Sequence, residues 1–502
     1  MKKLLALIAV LSASCLLFGA CGSAGPKGDS NWSGAPNHSA GDASPDEGWN
    51  YDDGGFVYDS IKEVGFKNVA DEASSYFSLD RNTASYSQVR WAIENGYQVS
   101  GDSVRIEEMI NYFDYDFEAP TDKAVALSAM LADCPWNEDN KLMAVGLKTT
   151  EIINENNANY VFLIDVSGSM SGDSRLGLAK KGFNMLLEGL GDKDVVSIVT
   201  YASGVKTVLD GGECTQNGKN KIKNAISKLE ARGATSGGDG LERAYNIAQK
   251  HFITGGNNRV IIISDGDFNV GISSPTVLKE FIQEKAKSGI YLSVIGVGMG
   301  NMRDDMLETL ALSGNGNYAY LDSEHEAKKV FVNELKSTLF TVAKDAKAGV
   351  TFTDSVEKYR LIGYDAKRIT EDDFNNDNAD TGEIGSNLCV TALYEIVLSE
   401  QADGKLADIE VKYKDVTGEA EVNESVTSTV TLDTPSSYDM SFISCVAEFG
   451  LILRDSAYKA NASISSVLAR LNGLSNYMAN DSYKQEFVTL VEKASTWDCY
   501  KQ

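Results

Sequence analysis

Tyr160-Val-Phe-Leu-Ile-Asp165-Val-Ser-Gly-Ser-Met170 is an apolar run that ends on an acid and then turns through a glycine. Such a run suits a strand buried on both faces of a parallel sheet. The loop after it carries one carboxylate and two hydroxyls, those of Asp165, Ser167 and Ser169. Two further segments offer oxygen atoms in the same way: Gly233-Ala-Thr-Ser-Gly-Gly-Asp-Gly-Leu241 and Arg259-Val-Ile-Ile-Ile-Ser-Asp-Gly-Asp267. In an open α/β sheet, loops of this kind gather at the carboxyl ends of the strands, the usual crevice for a ligand. Oxygen donors without thiolate or imidazole suit a hard divalent cation, Mg2+ ahead of Ca2+ or Mn2+. Taken singly, each segment reads as a helix cap or a turn. Their order and placement together point to a metal site.

Together the three segments resemble the metal-ion-dependent adhesion site of a von Willebrand factor type A domain. The resemblance implies that Asp165, Ser167 and Ser169 form the first-loop triad, with Thr235 as the single threonine and Asp265 as the acid after the central strand. It further implies that the hydroxyls touch the metal directly and the aspartates directly or through water. One coordination position is then left for a carboxylate supplied by a protein partner. Mg2+ keeps several waters and can surrender one to a strong anionic oxygen. Asp267 reads equally as a support for the metal's outer shell or as a helix cap.

Outward from this stretch, residues 159–342 alternate strands and helices in the βαβ manner. The strands predicted there cover 160–164, 195–201, 205–209, 259–264, 290–297 and 318–321, and the helices 175–188, 219–230, 238–251, 277–287, 303–312 and 324–340. With right-handed crossovers this is a doubly wound, Rossmann-like α/β domain. Before it come two helices, near 82–96 and 104–113, then alternating strands at 124–132 and 142–148. After it, strands are predicted at 349–353, 359–364, 389–398, 409–413 and 426–432, and amphipathic helices at 442–454, 464–471 and 482–493. Strands on both sides need partners, so the α/β domain is expected to be inserted in a flanking β-sandwich that ends in C-terminal helices.

A wider resemblance rests on Asn82-Thr-Ala-Ser-Tyr86, Val104-Arg-Ile-Glu-Glu-Met-Ile-Asn-Tyr-Phe-Asp-Tyr115, Cys134-Pro-Trp-Asn137, Ser264-Asp-Gly-Asp-Phe-Asn-Val-Gly271, Tyr359-Arg-Leu-Ile-Gly-Tyr364 and Val446-Ala-Glu-Phe-Gly450. These runs resemble bacterial von Willebrand factor type A lipoproteins with an extra N-terminal domain and a C-terminal domain of unknown function. The expected division is a signal peptide over 1–20, a flexible tether over 21–50, an N-terminal domain over 51–155, the α/β domain over 156–342, and a β-rich, then helical domain over 343–502.

The start of the chain supports the leader. Lys2-Lys3 precedes an apolar stretch to Phe18, and Gly19-Ala20-Cys21 follows; that order describes a secretory signal. A cysteine after Phe-Gly-Ala resembles the bacterial lipobox, with Phe18 where Leu is usual. This implies lipidation at Cys21 and a membrane anchor through acyl chains, with the rest of the chain on the extracytoplasmic face. Gly22 to Asn50, rich in Gly, Ser, Pro and Asp, is the tether. The 72 acidic and 46 basic residues give a net charge of −26, which repels phosphate backbones and argues against nucleic acid as a partner.

Other motifs read more plainly. Asp80-Arg-Asn82 reads as a helix cap, and Asp372-Asp-Phe-Asn-Asn-Asp-Asn-Ala-Asp-Thr-Gly-Glu383 as a solvated turn, since Phe374 and Asp377 break the spacing of a calcium loop. The widely spaced cysteines, Cys134, Cys214, Cys389, Cys445 and Cys499, read as free thiols. The histidines, His38, His251 and His325, sit in no loop that reaches the serines, and no Gly-x-Ser-x-Gly elbow occurs. The expectation is a binding protein and not an enzyme. The alternatives are a docking subunit of a cell-envelope assembly and, behind it, a metal-dependent hydrolase.

Overall fold

The computed structural model describes residues 58 and 60–500, apart from 80, 153–156, 235–238, 267–274, 299–303, 335–340, 380 and 419. The leader, the tether, Cys21, His38, Asp80, Thr235 and Asp267 lie outside the described residues. In chain order, the first part holds β1 (Lys67–Asn68), β2 (Ser74–Ser78), α1 (Ala84–Asn95), α2 (Ile106–Asn111), β3 (Val125–Asp133) and β4 (Asn140–Thr149). Next come β5 (Ala158–Asp165), α3 (Leu178–Gly189), β6 (Val195–Tyr201), β7 (Val205–Glu213), α4 (Gln216–Ser227), α5 (Gly240–Lys250), β8 (Asn257–Ser264), α6 (Pro275–Lys287), β9 (Ile290–Val297), α7 (Asp304–Ser313), β10 (Tyr318–Leu321) and α8 (Glu324–Lys328). The last part holds β11 (Thr341–Phe352), β12 (Val356–Ile362), α9 (Glu371–Asn375), β13 (Gly382–Gly385), β14 (Cys389–Leu398), β15 (Lys405–Asp415), β16 (Val422–Thr431), α10 (Tyr438–Arg454), α11 (Ile464–Gly473) and α12 (Ser482–Ala494).

The middle part is the Rossmann-like α/β domain, a six-stranded sheet in the order β10-β9-β8-β5-β6-β7. Its central strands are buried from end to end because each face is covered. Phe162, Ile261 and Ile263 pack with α3 on one side, and Leu163, Val260 and Ile262 with α5 on the other. Five strands are parallel, as the apolar runs predict, but β7 returns antiparallel on β6. The hairpin places a half-exposed strand at the edge, where one face needs no helix.

Two further sheets face each other across a common core containing Phe77, Val145, Val350, Tyr359 and Tyr394. One has the order β1-β12-β14-β4-β3. In the other, β11 is flanked by β15 and β16 on one edge and by β13 and β2 on the opposite edge. Both sheets therefore take strands from either side of the six-stranded sheet in the sequence. On the outer face of the first, α1, α2, α10, α11 and α12 bury Tyr86, Phe113, Phe449 and Phe487.

Four sequence expectations are corrected. The helix predicted over 324–340 is α-helical over Glu324–Lys328 and a π-helical turn over Lys329–Glu334, its remainder lying outside the described residues, and β11 begins at Thr341, eight residues ahead of the predicted strand. The segment expected to be a solvated turn begins as α9, closed by a capping box between Thr370 and Asp373. Thr83, not Asn82, holds the cap position of α1, although Asn82 Oδ1 does accept from the Ala84 N–H at 3.1 Å. Strands β1, β2 and β13 were not expected at all. The cysteines form no disulfide among the described residues, and Cys499 alone of the five is exposed.

One buried acid gives the fold a pH dependence. Glu108 of α2 is fully buried and accepts from the Ser85 N–H at 2.9 Å. Burial pushes its carboxyl up to about 8, against the pull of Arg105. A folded value above the unfolded one means that the stabilisation is complete below the unfolded value and is lost as pH rises through about 8. Glu108→Gln is therefore expected to stabilise the protein by about 2 kcal/mol at pH 9 and hardly at all at pH 5. Equal shifts at both pH values in thermal melts would refute this.

Candidate metal centre

Strands β5 and β8 run parallel and in register, Ile164 opposite Ile263, so their last residues leave the sheet side by side. Asp165 is completely buried there, and Ser167 and Asp265 nearly so, while Ser169 faces solvent. Asp165 Oδ1 accepts from the Ser167 N–H at 2.7 Å. The Ser264 hydroxyl lies 3.5 Å from its Oδ2, and the Tyr201 hydroxyl also bonds it. Burial pushes the Asp165 carboxyl up to about 6, opposed by the bonds from Ser167 and assisted by the neighbouring charge of Asp265. The Ser167 and Ser169 hydroxyl oxygens are 2.9 Å apart, so both converge on one spot above Asp165.

The second loop is stitched to the first. The Gly168 N–H donates to Gly233 O at 2.9 Å and the Arg232 N–H to Val166 O at 2.7 Å. A Cβ at Gly168 would stand 3.3 Å from Gly233 O, a close approach that a glycine permits. Ala234 is held by the Ser203 hydroxyl at 3.0 Å. The chain is thus fixed up to the residue before Thr235, which itself lies outside the described residues.

Asp265 shows two unlike oxygens. Its Oδ2 is 3.5 Å from Arg175 Nη1, whereas Oδ1 is buried and has no hydrogen-bond partner among the described residues. A buried carboxylate oxygen without a donor is costly unless a cation or water completes it. Two carboxylates and two hydroxyls, one oxygen still wanting a partner, fit a hard, oxygen-preferring cation such as Mg2+.

Arg175 is the residue that sequence reasoning missed. It sits in a π-helical turn over Asp173–Gly177 and also donates to Ser169 O. Its side chain lies across Gly298, whose φ is +76° and where a Cβ would fall 2.3 Å from Arg175 Cγ. Nothing local in the sequence links these two positions. The described histidines are engaged elsewhere, His251 with Asp210 at 2.6 Å and His325 with Glu486 at 2.7 Å.

Comparison with known families gives three matches: von Willebrand factor over residues 54–144, von Willebrand factor type A domain over 160–267, and the C-terminal region of Uncharacterized protein YfbK over 337–430 and 398–497. The chain is similar to Uncharacterized protein YfbK of Escherichia coli (strain K12), with 36% identity over 467 residues, covering 87% of this chain and 80% of that protein. It is also similar to inter-alpha-trypsin inhibitor heavy chain H3 of Homo sapiens, 26% identical over 257 residues, but spans only 29% of that protein's length. Among solved structures, a von Willebrand factor type A protein from Catenulispora acidiphila matches with 16% identity and a TM-score of 0.41, over 76% of this chain and 91% of that one.

Proposed function

The chain belongs to the YfbK family and carries a von Willebrand factor type A domain, and from that premise we propose that it is a membrane-anchored extracytoplasmic protein that binds an acidic residue of a protein partner at a divalent-metal adhesion site. The observation that carries this reading is the buried Oδ1 of Asp265, without a partner among the described residues, beside the paired hydroxyls of Ser167 and Ser169. Asp165 and Asp265 supply the negative charge, Ser167 and Ser169 neutral oxygens, and Thr235 a further hydroxyl from the second loop. Mg2+ bound there offers a Lewis-acidic position that the partner's carboxylate completes.

The remaining residues tune capture. A chain of net charge −26 repels an acidic partner at long range, so affinity depends on charges within a Debye length of the contact. Arg175, 3.5 Å from Asp265 at the rim of the centre, is such a cation. The signal-like start of the chain and Cys21 support an extracytoplasmic folded part held by acyl chains.

The test combines metal titration with capture from solubilised envelope. Full-length protein in detergent is expected to bind Mg2+ and to retain one partner in Mg2+ but not in EDTA. Asp165→Ala is expected to weaken metal binding at least about 100-fold and to release the partner. Equal partner recovery in Mg2+, in EDTA and with Asp165→Ala would refute the proposal.

A further inference from the structure

A cleft of about 830 Å³ opens between the α/β domain and the paired sheets. Its walls include α6 and α7, the turn before β10, and the segments around residues 60–62, 365–369 and 381–383. Tyr318 on its wall begins β10, whereas Asp165 ends β5; in a sheet whose strands β5, β8, β9 and β10 are parallel, the cleft therefore lies at the opposite edge from the metal centre.

Its charge runs against that of the chain. Lys62, Lys279 and Arg368 line it, and none forms an ion pair among the described residues, although acids outnumber bases 72 to 46 overall. The Arg368 guanidinium gives a bond to Leu361 O at 3.2 Å, and its Nε is buried without a partner among the described residues. Other cations on the wall are already committed: Arg81 pairs with Glu334 at 3.1 Å and Arg454 with Asp365 at 3.1 Å. Two lining groups of opposite demand complete the set. Glu107 is only 4% exposed, and among the described residues its Oε2 has no donor and the buried Thr381 hydroxyl no partner.

Buried polar atoms are almost always paired, and three orphan atoms, one of them on Arg368 itself, beside Lys62 and Lys279 define a ligand by what they lack, even with Glu308 and Glu383 on the same lining. It must bring an anion to Arg368, Lys62 and Lys279 and hydroxyl donors to Glu107, with one more polar group for Thr381. We propose that the cleft is a binding site for an anionic saccharide, a short sugar chain or sugar bearing a phosphate or a carboxylate. The volume falls in the range of small-molecule sites and exceeds what one hexose needs.

The test is calorimetry and saturation-transfer NMR on the full-length protein in EDTA, so that the metal centre plays no part. The probes are glucose 6-phosphate, glucuronate, glucose and inorganic phosphate. Saturable binding of glucose 6-phosphate or glucuronate, at least about tenfold tighter than glucose or inorganic phosphate, is the expected result, and the tighter of the two identifies the anion. Lys279→Glu, an exposed change, is expected to weaken it about tenfold, with Arg368→Gln giving a similar loss. Asp165→Ala is expected to leave it unchanged. No saturation by either charged probe below about 10 mM, or binding indifferent to both cleft variants, would overturn the site. So would loss of binding in Asp165→Ala protein that is still folded by circular dichroism, because the locus would then be the loop around Asp165 and not the cleft.

Discussion

Replacing Arg90 with methionine is expected to destabilise the protein by about 3–5 kcal/mol, and to loosen the α/β domain from the helices beside it. Arg90 projects from α1 into a buried cluster fed by three parts of the chain. It holds Asp322 through Nε at 2.6 Å and Nη2 at 2.5 Å, Glu326 at 2.7 Å, Glu486 at 2.6 Å and the Tyr112 hydroxyl at 2.9 Å. Arg90, Asp322 and Glu326 are each about 1% exposed at the side chain. Removing the cation strands carboxylates that water cannot reach, and that desolvation penalty outweighs the modest net value of the pairs themselves. Arg90→Lys should recover only part of the loss, because an ammonium cannot serve Asp322 with two parallel donors. Denaturant melts and limited proteolysis read the effect. A melting temperature unchanged to within about 1 °C, with no new cleavage between residues 321 and 341, would show that the cluster is incidental.

A loss of similar size, about 3–5 kcal/mol, is expected for Glu395→Leu. Glu395 lies on β14, 2% exposed, directly across from Arg360 on β12. It accepts from Arg360 Nη2 at 2.7 Å, Asn140 Nδ2 at 2.6 Å and Trp136 Nε1 at 3.3 Å. Leucine fits the volume but leaves a buried guanidinium, an amide and an indole N–H without acceptors. Glu395→Gln retains one acceptor and should cost about half as much. Equal stability of the leucine and glutamine variants in urea melts would refute this assignment.

These two clusters also show what the sequence could and could not reveal. Cys134-Pro-Trp-Asn137 was legible as a signature, but its physical task was not, because the acid that Trp136 serves lies 259 residues further on. Asn82-Thr-Ala-Ser-Tyr86 behaves the same way: Ser85 bonds Ser103 O at 2.6 Å and Tyr86 stacks on Tyr112 at 4.0 Å. The α/β domain was readable because its strands are apolar throughout and its helices follow at once. The first-loop residues of the metal centre were readable because Asp165, Ser167 and Ser169 are almost consecutive. Arg175 was hidden, since only the space above Gly298 brings it there.

Strands β2 and β13 escaped notice for a different reason. Ser74-Ser-Tyr-Phe-Ser78 and Gly382-Glu-Ile-Gly385 have little intrinsic preference for a strand. They become strands because β11 is long enough to offer its edge to both, β13 along its first half and β2 along its second. Pairing of this kind is a property of the context and not of the segment. The cleft at the far edge of the sheet is illegible for the same reason, assembled from groups that no window of sequence contains.

The pairing of early with late strands has a consequence for how the protein is made. Asn140 and Glu395 meet across 255 residues of chain, and β4 finds its partner β14 only after the whole six-stranded sheet has been synthesised. The α/β domain closes through strands that follow one another, so it can fold while β3 and β4 still wait with an open edge. Long-range closure of this kind is slow, and a waiting apolar strand is prone to wrong partners. The vulnerable moment for this molecule is therefore its emergence as a nascent chain, when half of a sandwich exists without the other.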